Sequence, residues 1–116
     1  MNLNLRRDNI WVCSAPVDFR KSIDGLSALV VEQFSGQPQL GVYVFYNRHR
    51  DRIKLLGWHH NGFVLLYKRL ERGKFHFCEN SDGKVAINEQ QLGWLLSGLN
   101  WPLMSKMDAL EVADFY

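Results

Sequence analysis

The sequence has few of the features that membrane insertion or disulfide chemistry requires. Its 116 residues include two cysteines, Cys13 and Cys78, and no C-x-x-C spacing. We therefore expect two buried, free thiols in a reducing compartment. No apolar run approaches the ~18 residues of a transmembrane helix, and no signal peptide is recognisable. These absences predict a soluble cytoplasmic protein, with nucleoid association as a compatible variant.

Catalytic motifs are equally scarce. There is no P-loop, no G-x-S-x-G, and no spaced carboxylate set that fits a two-metal nuclease. The adjacent His59 and His60 would point to opposite faces of a strand, and His49, Asp51 and His76 lack the spacing of metal ligands. We expect no metal, no cofactor, no small-molecule ligand and no enzymatic activity.

What the chain does have is a strongly basic central segment. Residues 48–74 carry a net charge of +6, whereas the rest of the chain carries −4. The cations of this segment are Arg48, Arg50, Arg52, Lys54, Lys68, Arg69, Arg72 and Lys74. This asymmetry favours a localised positive face that meets a polyanion, and the alternative is a solvated hairpin that happens to be basic.

The pattern of apolar residues and turn signals predicts eight elements. Strands are predicted at 9–15, 40–46, 52–60, 63–71, 74–78 and 84–88. A first helix is expected over 19–34 with Asp18 as N-cap, and a second begins after Asn88, with Gln91 completing a capping box. Its buried stripe comprises Leu92, Leu95, Leu96 and Leu99; Trp101-Pro102 ends it, and a weakly patterned tail follows. The order predicts one α+β domain over residues 1–116, an antiparallel β-sheet meander with an N-terminal-half helix and a C-terminal helix packed against it.

The strongest turn signal is Asn61-Gly62, which is typical of a type I′ hairpin. This turn would place His60 opposite Phe63 and Arg52 opposite Glu71. One face of the hairpin would then be apolar, and the other would mix rings with cations. The mixed face comprises Arg52, Lys54, Trp58, His60, Phe63, Tyr67 and Arg69. Such a face suits nucleic acid; alternatively, Trp58 and Tyr67 pack under the second helix and leave only the rim charges exposed.

A second basic feature is Arg20-Lys21, which the pattern places in the first turn of the first helix. The helix dipole disfavours cations there. Either Asp18 and Asp24 neutralise them, or they collect an anion such as a phosphate.

Three blocks of the sequence resemble one known family. They are PVDFRKSIDGLSALV (16–30), VFYNRHRDRIKLLGWHHNGFVLLYKRLERGKF (44–75) and QLGWLLSGLNW (91–101). They are similar to the accessory, Orf2-like TnpB protein of insertion-sequence-66-type transposable elements, which is distinct from the RNA-guided nuclease of the same name. Departures are few: His49 stands where a further arginine is common, and Phe77-Cys78 where Trp-Pro often follows.

The resemblance implies a non-catalytic partner in DNA transposition, with the chemistry carried by a separate DDE-type transposase. The expected partners are DNA, at the transposon ends or the target, and the element-encoded transposase. The residues expected to contact nucleic acid are Arg20, Lys21, Arg48, Arg50, Arg52, Lys54, Trp58, Tyr67, Lys68, Arg69 and Arg72. A second hypothesis is a module that docks on the transposase without binding DNA, for which Trp58, Tyr67, Trp94 and Arg69 are residues of hot-spot type.

Overall fold

The structure is a computed structural model that describes residue 5, residues 9–78 and residues 82–114, with the main chain alone for 108–114. Its elements are β1 (Ile10–Cys13), α1 (Ile23–Phe34), β2 (Val42–Tyr46), β3 (Arg52–His59), β4 (Gly62–Arg69), β5 (Lys84–Ile87), α2 (Glu89–Leu96) and α3 (Trp101–Asp114). A short 3₁₀ turn, Pro38–Leu40, precedes β2. The predicted α+β class is confirmed.

The five strands form one mixed sheet in the order β4-β3-β2-β1-β5. The β2, β3 and β4 strands form the predicted antiparallel meander. The β1 strand runs parallel to β2, because α1 carries the chain back along the sheet between them, and β5 pairs antiparallel on the outer side of β1. A crossover helix therefore replaces one step of the expected meander.

Each face of the sheet is covered by helix. On one face, α1 packs through Leu26, Val30 and Phe34 onto a cluster that includes Phe45 and Leu56. The opposite face is covered from the C-terminal half; its cluster comprises Ile10, Val12, Val42, Val44, Tyr46, Ile53, Leu55, Phe75, Ile87, Leu95 and Trp101. The central strand β2 is buried along its whole length, as expected for a strand covered on both sides.

The first helix starts later than the sequence predicts. It begins at Ile23 with Ser22 as N-cap, and Asp18 does not cap it. Residues 18–21 instead form a separate turn, in which the Lys21 amide donates to the Asp18 carbonyl over 3.1 Å. The Asp18 carboxylate is engaged by Arg20, so it is not available to the helix. Arg20 and Lys21 therefore precede the helix instead of lying in its first turn.

The predicted strand at 74–78 is wrong. This segment has no strand pairing; one main-chain bond, from the Phe75 amide to the Arg50 carbonyl (2.7 Å), fixes it to the sheet. The physical reason is topological: β4 and β5 lie at opposite edges, so the intervening chain must cross the sheet. Phe75 and Phe77 pack into the cluster on the α2 side as the chain crosses.

The C-terminal region is more helical than expected. The capping box of α2 is confirmed, with Asn88 and Gln91 bonded to each other's main chain. The prediction that Trp101-Pro102 ends the second helix is wrong, because α2 ends at Leu96 and Trp101-Pro102 begins α3. The Asn100 side chain accepts from the Leu103 amide, and proline is tolerated in a first helical turn. Leu99 lies beyond α2 and is exposed, contrary to the predicted stripe. None of the described helices is long and apolar enough to cross a bilayer. The predicted tail residues 115–116 lie outside the described residues.

Both cysteines are free thiols, as expected, but Cys78 is half-buried and not buried as predicted. Cys13 is buried on the α1 side, and its thiol donates to the Ala15 carbonyl over 3.0 Å. Burial raises the pKa of the Cys13 thiol. Partial burial also raises the pKa of the Cys78 thiol. Both groups are therefore held in their unreactive protonated form at neutral pH.

Candidate nucleic-acid interface

The β3–β4 hairpin turns one residue earlier than the sequence predicts. Its two-residue loop is His60-Asn61, between the paired His59 and Gly62. The predicted Asn61-Gly62 loop is therefore wrong: His60 takes the left-handed conformation (φ 52°), whereas Gly62 does not. The turn is closed by a 2.6 Å bond from the Asn61 amide to the His59 carbonyl, and the Trp58 indole donates to the His60 carbonyl.

The corrected register changes the partners but not the faces. Arg52 now lies opposite Arg69 instead of Glu71, and Trp58 lies opposite Phe63. Every cross-strand partner lies two positions away from the predicted one. Because side chains alternate with a period of two, each residue keeps its predicted face. Apart from His60, which falls in the loop, the predicted mixed face exists.

The mixed face is divided into a packed part and an exposed part. Phe63 and Leu65 are half-buried against the α1 cluster, whereas Tyr67 is 53% exposed. The Trp58 ring packs edge-on to Phe63 with centroids 5.0 Å apart. Because α2 packs on the opposite face, the alternative that Trp58 and Tyr67 lie under the second helix is wrong.

Three lysines of the sheet bind main-chain carbonyls. Lys54 Nζ donates to the carbonyls of Phe19 and Lys21, both over 2.7 Å. Lys68 Nζ donates to the Leu96 carbonyl at the end of α2, and Lys84 Nζ to the Phe34 carbonyl at the end of α1. These ammonium groups therefore fix loops and helix ends to the sheet. Two of them, Lys54 and Lys68, were predicted to contact nucleic acid.

The loop between β2 and β3 is organised by Asn47. Its side-chain amide donates to Asp51 over 2.6 Å, and its side-chain oxygen accepts from the amides of Asp51 and Arg52. This hydrogen bonding lowers the pKa of the Asp51 carboxyl. Arg50 takes a left-handed conformation (φ 60°), and its guanidinium lies 6.0 Å from the centre of the Tyr46 ring. The asparagine and aspartate thus hold the loop, on which Arg48 and Arg52 are exposed and Arg50 is half-buried.

The loop that follows β4 is fastened to this first loop. The Leu70 amide donates to the Asp51 carbonyl (2.8 Å), and the Phe75 amide to the Arg50 carbonyl (2.7 Å). Two arginine-bearing loops are therefore joined where β4 ends and β3 begins. We call this surface the basic end; its cations are Arg48, Arg50, Arg52, Arg69, Arg72 and Lys74. Lys74 is exposed there, although it was not among the predicted contact residues.

The 18–21 turn adjoins the basic end. The Val17 amide donates to the carbonyl of Tyr46, the last residue of β2, and Lys54 holds the turn from the sheet. Arg20 forms a two-pronged ion pair with Asp18 (2.6 Å at its shortest), which lowers the pKa of the Asp18 carboxyl. The expectation that Asp18 neutralises Arg20 is therefore met, whereas the Lys21 side chain is exposed.

Two like charges face each other directly across the hairpin. Arg52 and Arg69 are cross-strand partners, and such pairs of cations repel. Glu71 lies 3.1 Å from the Arg69 guanidinium and raises the pKa of Arg69. Within the described residues, the side chains of Arg48, Arg52 and Arg72 form no hydrogen bond or ion pair. The basic end therefore carries more positive charge than its own carboxylates balance.

The predicted contact residues do not form one surface. The basic end and the adjoining turn bring together Arg20, Lys21, Arg48, Arg50, Arg52, Arg69 and Arg72. Trp58 is six residues from Arg52 along β3, a distance of about 20 Å, and Lys68 lies on the opposite face from Arg69. Tyr67 is beside the basic end with its ring 6.3 Å from that of Phe19. No group of three potential ligands for a metal ion occurs in the part of the chain that the structure describes.

Comparison with known proteins agrees with the resemblance seen in the sequence. The chain is 37% identical over 93 residues to the uncharacterized protein y4jC of Sinorhizobium fredii (strain NBRC 101917 / NGR234), covering 79% of this chain and 80% of that protein. It is 32% identical over 93 residues to y4hO of the same strain, covering 79% and 81%. No solved structure matches. The model of the family described as IS66 Orf2 like protein matches residues 8–106, and the chain therefore belongs to this insertion-sequence family, which suggests an accessory role in transposition.

Proposed function

We propose that the protein is a non-catalytic accessory factor that binds DNA during transposition, and that the basic end is its contact surface. The observation that carries this proposal is the fixed pair of loops at the end of the hairpin. Their main-chain bonds fix the backbone that carries a group of arginines, and two of the arginines face each other across the strands.

The repulsion between Arg52 and Arg69 supports a polyanionic partner. A cross-strand pair of cations gives nothing to the free protein, because like charges directly opposite are destabilising. Phosphate groups between them would turn that repulsion into attraction, and arginine presents a planar fork that matches phosphate oxygens. The charge arrangement is thus favourable when a phosphate backbone is bound.

The test is fluorescence anisotropy with labelled DNA at several salt concentrations. Each phosphate contact contributes about 0.9 to the slope of log affinity against log salt for duplex DNA. The triple variant Arg48→Ala, Arg50→Ala, Arg52→Ala should bind more weakly, with a slope smaller by about 3. Lys106→Ala is the control, since Lys106 is an exposed cation on α3. Unchanged affinity and slope in the triple variant would remove the basic end from the proposal.

A second candidate function is docking on the element's transposase, and exposed apolar residues favour it. Leu99, between α2 and α3, and Leu103 and Met107, on α3, are 44%, 52% and 54% exposed. Leu103 and Met107 are four residues apart and share one helical face. Co-purification with the transposase that is lost in Leu103→Asp, Met107→Asp, while DNA binding persists, would show that this surface docks a protein. A complex that survives both substitutions would exclude it.

A further inference from the structure

The aromatic rings at the basic end are packed inward. Tyr46 and Phe75 are 1% and 2% exposed, and the Phe77 ring stacks on Tyr46 with centroids 3.6 Å apart. They form a platform beneath the loops, since the Arg50 guanidinium lies over the Tyr46 ring. Tyr46 and Phe75 cannot receive a base, and one face of the half-buried Phe77 ring is covered by Tyr46.

The rings that remain accessible do not form a row. Tyr67 is exposed, but one of its faces is next to Phe19, and Trp58 lies about 20 Å away at the other end of β3. The His49 imidazole is exposed at the tip of its loop. Proteins that hold single strands combine a basic groove with rings on which successive bases stack. That arrangement is missing from the described residues at the basic end.

The main chain fixes the backbone positions that carry the cations. The two loops are joined through the carbonyls of Arg50 and Asp51, and Asn47 braces the first of them with three side-chain hydrogen bonds. A fixed backbone carrying these cations loses little further main-chain freedom when it meets a partner whose phosphates are also fixed. Duplex DNA is such a partner and carries about one charge per 1.7 Å of axis.

We infer that the basic end binds the sugar-phosphate backbone of double-stranded DNA and does not stack on bases. The inference rests on the proposed function and makes it more specific, since it names the form of DNA. Contacts of this kind position a protein on the duplex and carry no sequence information directly. The basic end should therefore bind duplexes of different sequence with similar affinity.

The experiment compares a mixed-sequence duplex with unstructured oligothymidine that has the same number of phosphates. We expect the duplex to bind at least about tenfold more tightly at the same salt concentration. Tyr67→Leu and His49→Ser should change either affinity by less than about twofold, because no base stacks there. Arg48→Ala should weaken duplex binding and is therefore the positive control for the two ring substitutions.

The outcomes separate the inference from the proposed function. Equal or tighter binding of oligothymidine, or a clear loss of binding in Tyr67→Leu or His49→Ser, would overturn the inference and leave DNA binding intact. No binding of either DNA at low salt would overturn both. A second duplex of unrelated sequence that binds much more weakly than the first would also contradict backbone-only recognition.

Discussion

Three lysines of the sheet have a different task from the arginines of the basic end. Lys54 joins the sheet to the 18–21 turn through two carbonyls, and Lys68 and Lys84 each bind the carbonyl at a helix end. The compact ammonium on a flexible stem suits such single carbonyls, whereas the guanidinium fork suits phosphate. The sequence does not separate these tasks, because Arg52 and Lys54 lie on the same face of β3 and both contribute one positive charge to the basic segment.

A pair of substitutions tests this division. Lys54→Met should lower the free energy of unfolding by about 1–3 kcal/mol, because two carbonyls lose a charged donor. Arg52→Gln should leave it unchanged or raise it, because the repulsion with Arg69 is relieved, while DNA binding weakens. Urea denaturation of both variants measures the first effect. A stable Lys54→Met protein, or an Arg52→Gln protein that is clearly destabilised, would contradict the assignment.

At the scale of elements, the hairpin shows why the faces were predictable and the turn was not. Asn61-Gly62 is a strong local signal, but the loop forms at His60-Asn61, where the Trp58 indole donates to the His60 carbonyl. This hydrogen bond joins a strand side chain to a main-chain carbonyl two residues away, and the propensities of the loop residues alone do not include it. The observed strand register differs from the predicted one by two positions, and a shift by an even number of residues keeps every side chain on its face.

Substitutions at the turn test the corrected loop. Gly62→Ala should be neutral or stabilising by up to about 1 kcal/mol, because Gly62 has a negative φ and nothing lies near its Cβ position. His60→Val should destabilise by about 1–2 kcal/mol, because a β-branched residue is strained at φ 52°. Thermal melts measure both. If Gly62→Ala were the more destabilising of the two, the result would instead support a turn at Asn61-Gly62.

The junction between β1 and β2 depends on Gly41. A Cβ on this residue would lie 2.7 Å from the Asn9 carbonyl oxygen, which also accepts from the Val42 amide over 2.8 Å. Gly41→Ala should therefore destabilise the protein by about 1–3 kcal/mol. Gly93→Ala is the matched control: it lies in α2 with free space around it, so it should stabilise by about 0.5–1 kcal/mol. Equal melting temperatures for the two variants would contradict this packing.

Local signals predicted elements well where they agreed with tertiary demands. The sequence correctly predicted the capping box at Asn88, the strands of the meander and the alternation of side chains in the hairpin. The segment at 74–78 has the composition of a strand, yet the chain must cross the sheet there. Trp101-Pro102 suggests the end of a helix from sequence alone, but in the structure it begins α3, with the Asn100 side chain accepting from the Leu103 amide.

For the whole molecule, the chain order scatters cations that the fold collects. Arg20, Arg48 and Arg72 are far apart in sequence, and the parallel pairing of β1 with β2 places the turn after β1 beside the loop after β2. The sequence shows the basic segment, but only the structure shows that Trp58 lies at the opposite end of β3 from the basic end. The aromatic and basic characters of the hairpin therefore belong mainly to its two different ends.

The most direct test of the account is a titration of the ¹⁵N-labelled protein with duplex DNA, followed by amide and indole chemical shifts. We predict that the largest shifts fall in residues 18–21, 47–52 and 69–75, while residues 57–63 and the Trp58 indole change little. Shifts concentrated at the hairpin turn or along α2 and α3, or no shifts at low salt, would contradict the claim that the basic end binds DNA.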